Sequence, residues 1–131
     1  MIRTNLKIII TSILLFIIGS SFYLKTATPP EKKLRHVVAF KFKPGTTSEQ
    51  MQKATSDFLN LKSQVPQILE IEGGPDVALA QKQGKYTHCF VVTVKNQPDL
   101  DAYGSHPKHK AFSQSVDPLL AEVMVVDYWA E

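Results

Sequence analysis

Two runs in this chain have the alternation of β-strands yet are apolar on both faces, and that limits the folds open to it. Leu34 to Lys43 sets Leu34, His36, Val38, Phe40 and Phe42 on one face and Arg35, Val37, Ala39, Lys41 and Lys43 on the other, then stops at Pro44-Gly45. Val123-Met124-Val125-Val126-Asp127-Tyr128-Trp129 closes the chain in the same manner. Helices packed on one side of a sheet leave its second face to be buried by something else, most economically by another copy of the same sheet. A homodimer is therefore expected.

The elements between these runs fix the class. Thr46-Thr47-Ser48-Glu49-Gln50 has capping-box spacing, and Met51, Ala54, Phe58, Leu61 and Val65 then recur at three and four residues before Pro66, an amphipathic helix of about four turns. Gln67 to Gly73 reads as a second strand and Tyr86 to Lys95 as a third. The aperiodic connection up to Lys85 is long enough to suggest a functional flap. Short helices follow at Pro98 to Tyr103 and from Pro107 to about Ser115, with a turn at Asp117-Pro118. The order β-α-β-β-α-β predicts an α+β, ferredoxin-like fold: a four-stranded antiparallel sheet with helices on one face.

Ahead of the domain, Ile8 to Leu24 is an uncharged aliphatic run preceded by Arg3 and Lys7, the layout of a secretory signal peptide or an N-terminal signal-anchor. At 1.5 Å per residue it spans about 25 Å, a little less than a typical hydrocarbon core of about 30 Å. The expected organisation is leader 1–24, a polar, proline-bearing linker 25–33, and one domain 34–131, exported or held at a membrane by an uncleaved leader. The formal net charge of +3 belongs to the N-terminal segment, where Arg3, Lys7, Lys25, Lys32 and Lys33 face Glu31 alone. The domain itself is near neutral, which argues against a nucleic-acid partner. Cys89, the only cysteine, sits in an apolar run and reads as a buried inert thiol.

The densest chemistry lies in Asp101-Ala102-Tyr103-Gly104-Ser105-His106-Pro107-Lys108-His109. A residue before proline is pushed out of the helical region, whereas proline suits the first helical position, so His106 should end a loop and Pro107 start a helix. His109 then falls in the first helical turn, where the helix dipole disfavours imidazolium and leaves a neutral ring able to accept a proton. Parity sets His36 with Phe40, and His88 with Phe90, on apolar strand faces. His36, His88, Phe40 and Phe90 are accordingly expected to line a ligand pocket facing the helix that bears His109. His106 reads as a turn or capping residue. The His106/His109 pair lacks the i, i+4 spacing of helical metal ligands, so no metal site is expected.

Four separated segments resemble the stress-responsive A/B barrel (Dabb) family: His36-Val37-Val38-Ala39-Phe40-Lys41-Phe42-Lys43, Tyr86-Thr87-His88, Tyr103 with His106-Pro107-Lys108-His109, and Val125-Val126-Asp127-Tyr128. The resemblance implies a ferredoxin-like protomer that pairs sheet to sheet into a dimeric α/β barrel. It also implies, from plant polyketide cyclases of the family, a cofactor-free site with Tyr103 and His109 as the polar pair and His36 and His88 as pocket histidines. Two functions follow as expectations. One is a binding module for a small apolar or aromatic molecule. The other is a cyclase-like proton-transfer enzyme in which His109 removes an α-proton while the Tyr103 hydroxyl holds the developing enolate oxygen.

Overall fold

The computed structural model describes residues 31–77 and 86–130. The aliphatic run 8–24, most of the linker 25–33, and residues 78–85 of the connection read above as a flap lie outside the described residues. The elements are β1 (Leu34–Phe42), α1 (Ser48–Gln64), β2 (Glu70–Pro75), β3 (His88–Val94), α2 (Gln97–Ser105), α3 (Pro107–Val116), a 3₁₀ turn (Asp117–Leu119) and β4 (Leu120–Trp129). Among the described residues no helix is long and apolar enough to cross a membrane.

Each helix starts where its side chains offer acceptors to unpaired backbone N–H groups. Thr47 and Gln50 form a reciprocal capping box: the Gln50 backbone N–H donates to Thr47 Oγ1 at 3.2 Å, and the Thr47 N–H donates to Gln50 Oε1 at 2.9 Å. At α2 the Asp99 N–H donates to Asn96 Oδ1 at 2.9 Å. That cap starts the helix one residue before Pro98, and it runs on to Ser105, two residues past the expected end at Tyr103.

The four strands lie in the order β2-β3-β1-β4, all neighbours antiparallel, as the ferredoxin-like plan requires. Several strand boundaries differ from expectation, β3 among them, which spans His88–Val94 rather than Tyr86 to Lys95. β2 begins at Glu70 rather than Gln67, because the chain leaves α1 through a turn in which the Ile68 N–H bonds Val65 O at 3.1 Å. It also continues through Gly73 to Pro75, opposite His88. Gly73 makes this possible: at φ +139° with its Cα pressed on β3, any Cβ would meet the Cys89 carbonyl oxygen and, at 2.6 Å, Phe90 Cα. β4 begins at Leu120, three residues early, drawn into pairing with Phe42 across a register shift.

Helices cover one face of the sheet, where Phe40, Phe58, Phe90 and Phe112 form a continuous cluster with ring centroids 4.6 to 6.5 Å apart. Among the described residues, the opposite face carries Val37, Val91, Met124 and Val126 with no helix packed over it. Cys89 is on this outer face and exposed, contrary to the buried thiol expected. With His88 and Phe90 turned inward, strand parity sends the residue between them outward. β4 stands out further. Val123, Met124, Val125, Val126, Tyr128 and Trp129 are 38% to 50% exposed on both faces alike, so the helices do not reach across this edge strand.

Candidate functional site

Tyr103, His109 and His36 meet where α2, α3 and β1 converge. Tyr103 is carried on the last turn of α2, and its ring is 1% exposed. His106 ends α2 and starts α3 with an extended backbone (φ −63°, ψ 136°), and its Nδ1 accepts the Lys108 N–H at 3.2 Å. The proline-fixed turn thus brings His109 back over Tyr103, with ring centroids 4.4 Å apart. His36 approaches from β1 edge-on at 5.7 Å. The three rings line a hollow of about 200 Å³ closed below by Phe40 and Phe112 and bordered by Val123 and Val125 of β4.

The electrostatics of the three groups differ. His109 Nδ1 lies 3.1 Å from the Gly104 carbonyl, which can only accept, so Nδ1 carries the proton and Nε2 is left as an acceptor. Burial is the first cause that lowers the His109 pKa. The Gly104 bond opposes it, and the charges of His36 and His106 reinforce it. The neutral form read from the helix terminus is thus favoured chiefly by desolvation. The Tyr103 phenol is pushed well above its ordinary pKa by burial and stays un-ionised. Its hydroxyl is buried with no protein partner.

One functional group escaped the sequence reading. Asp127 Oδ1 lies 2.7 Å from His36 Nδ1, fixing that nitrogen as the donor and turning Nε2 away from the carboxylate. The β1–β4 register sets His36 directly across from Asp127. Parity on β4, which turns Asp127 to the same face as Val123 and Val125, was the available signal. It needed the pairing of first and last strands to become a contact.

His88 and Phe90 do not join this hollow. His88 pairs with Phe40 in the sheet, four residues from His36 and about 13 Å along the strand. Its ring is turned edge-on to Phe42 at 4.9 Å and faces a different hollow, beside α1. Phe90 is wholly buried beneath Phe58 and Phe40. Of the expected pocket residues, His36 and Phe40 line the hollow with Tyr103 and His109. Among the described residues, no three of His, Cys, Asp and Glu gather as a metal site.

Comparison with known proteins agrees with this fold. Residues 34–130 match the model of the Stress responsive A/B Barrel Domain. A stress-response A/B barrel domain-containing protein of Arabidopsis thaliana is 30% identical over 96 residues, covering 72% of this chain and 83% of its own. Among solved structures, a hydroxynitrile lyase from Passiflora edulis superposes with a TM-score of 0.70 at 22% identity, covering 78% of this chain and 96% of its own. A dimeric ferredoxin-like protein of unknown function from Thermobifida fusca gives 0.68 at 23%, covering 80% and 97%. With the family model spanning the whole described sheet and its helices, the chain belongs to the stress-responsive A/B barrel (Dabb) family.

Proposed function

We propose that this protein is a homodimer that binds a small apolar or aromatic molecule in the hollow between Tyr103, His36 and His109. The observation that carries this reading is the Tyr103 hydroxyl, buried without a partner at the wall of a space with room for a ligand. Buried polar groups in native proteins are paired, and an orphan donor on a residue that walls a hollow can be completed by what the hollow takes up. Pairing of two copies through the outer sheet face is supported by the uncovered Val37, Val91, Met124 and Val126, and by the dimeric state of the Thermobifida fusca relative. The leader, with its aliphatic run after Arg3 and Lys7, supports export or membrane tethering.

A catalytic reading is favoured by one further feature, the His36–Asp127 pair. The His109 imidazole, its Nδ1 held by the Gly104 carbonyl, and the un-ionised Tyr103 phenol supply a base and a hydrogen-bond donor without any cofactor, with the Asp127-bound His36 ring beside them. Such a set suits cyclase-like removal of an α-proton with Tyr103 steadying the oxygen. The Passiflora edulis protein, an enzyme by name, has the same fold.

Crystals soaked with phenolic and polyketide-like compounds test the binding reading: density between Tyr103 and His109 supports it, and an unfilled hollow across the series overturns it. Turnover of any bound compound, lost on His109→Ala with the fold intact, separates enzyme from binding module. Light scattering that returns a monomer at micromolar concentration rejects the dimer. Full-length protein recovered wholly in the cytosolic fraction, with Met1 or Ile2 still in place, rejects export.

A further inference from the structure

The hollow at His88 is separate from the Tyr103 site and larger, about 460 Å³, within the range of about 300–1,000 Å³ that small-molecule sites occupy. The two share no lining residue. They lie on opposite flanks of α1: Phe58 borders the Tyr103 hollow, while Met51, Thr55 and Leu59 border the other. The aromatic cluster of Phe40, Phe42 and Phe58 stands between them.

Helical spacing explains the wall. Met51, Thr55 and Leu59 form one row along α1 at intervals of four, and Ser48, Gln52 and Ser56 form the next, so apolar side chains line the inside and hydroxyl and amide groups the rim. Among the described residues, no Lys, Arg, Asp or Glu lines the space. His88 closes the inner end, 8% exposed, with Nδ1 3.0 Å from the Thr87 hydroxyl. Nε2 is the ring nitrogen left for a ligand. Burial lowers the pKa of this histidine and keeps the ring uncharged. Because the Thr87 hydroxyl can donate or accept, Nε2 can take either role, and a ligand hydroxyl matches both. A charged group entering here would lose hydration against an uncharged imidazole and, among the described lining residues, meet no ion of opposite sign.

We propose that the His88 hollow is a second small-molecule site, for an uncharged compound with an apolar body and a hydroxyl group that pairs with His88 Nε2. The probe is 2-naphthol, titrated calorimetrically into the full chain. Wild-type protein is expected to take it up saturably, and Thr55→Trp, which fills the hollow, to weaken uptake by about tenfold or more. Ser56 is exposed on α1, so Ser56→Trp narrows the rim without burdening the core and should weaken uptake as well. Val125→Trp fills the Tyr103 hollow instead and should leave affinity within about twofold. No saturable uptake by the wild type, uptake unchanged in both α1 variants, or uptake lost in Val125→Trp overturns the proposal. Uptake lost in Val125→Trp but kept in both α1 variants would put 2-naphthol in the Tyr103 hollow instead, and the other outcomes leave ligands at Tyr103 to the soaking series.

Discussion

Tyr103→Phe deletes one oxygen and keeps the ring, so it isolates the orphan hydroxyl from packing. The ring contacts with His36 and His109, at 5.7 and 4.4 Å, are made by carbon surface that phenylalanine also has. In the unfolded chain the hydroxyl is solvated; in the folded protein it is buried with no protein acceptor. An unsatisfied buried polar group costs about 1–3 kcal/mol, and a water entering the 200 Å³ hollow would recover part of that. The variant should therefore be more stable than the wild type, by anything up to about 3 kcal/mol. A gain of 1 kcal/mol raises Tm by about 4–8 °C in a domain of this size. Ligand affinity should move the other way, falling by about tenfold with loss of a hydrogen bond worth about 1.4 kcal/mol. Urea unfolding can be followed by the emission of Trp129, the one tryptophan, and binding by titration of whichever soaked compound fills the hollow. Destabilisation by about 1 kcal/mol or more would show that the hydroxyl is paired within the protein, and the case for a ligand at this point would fall with it.

Asp127→Asn should release His36 from the tautomer that the carboxylate enforces, seen by nitrogen NMR as a rise in the Nε2–H form, with stability changed by less than about 1 kcal/mol at this half-exposed pair; an unchanged tautomer ratio contradicts the pairing. Burial holds His88 and His109 below the ordinary 6.5, so between the folded and unfolded pKa values the unfolded chain binds more protons, and stability should decline as pH falls below about 6.5. His109→Gln should flatten the fall of Tm between about pH 7 and 5, and an unaltered slope would mean the imidazole is not held neutral. Gly73→Ala should cost at least about 2 kcal/mol, since it must strain a φ of +139° and part β2 from β3; a Tm within a degree or two of wild type would refute that close approach.

What could be read from the sequence was whatever depends on periodicity and local sterics. Alternation in Leu34–Phe42 is enough to sort His36 and Phe40 onto the helix-covered face, because parity needs no knowledge of neighbours. His106-Pro107 likewise declares a helix boundary through the steric demands of one ring, and the cap is made by His106 itself. What failed depended on register. Parity alone placed His36 and His88 on one face, but position along the strands, set by the pairing Phe40 with His88, put them in different hollows. Asp127 was visible within a family segment and received no role, because its meaning comes from a partner 91 residues away. For Cys89 composition and parity point in opposite directions, and parity wins: the run is apolar, but alternation turns that position outward.

The bare edge of β4 also bears on how this chain survives before it has a partner. Val123 to Val126 is an uninterrupted apolar, β-favouring stretch with no proline, on an edge strand whose outer backbone groups have no pair in the sheet. Such a strand is a template for indiscriminate strand addition, and a single protomer is at risk of aggregating until the edge is covered. Its protection is a charge at each end, Glu122 before the stretch and Asp127 after it, in the manner of residues that flank unavoidable hydrophobic strands. Asp127 would then do two unrelated jobs, orienting an imidazole in the finished site and keeping nascent chains apart. Substitutions there that spare the fold can still lower the yield of soluble protein.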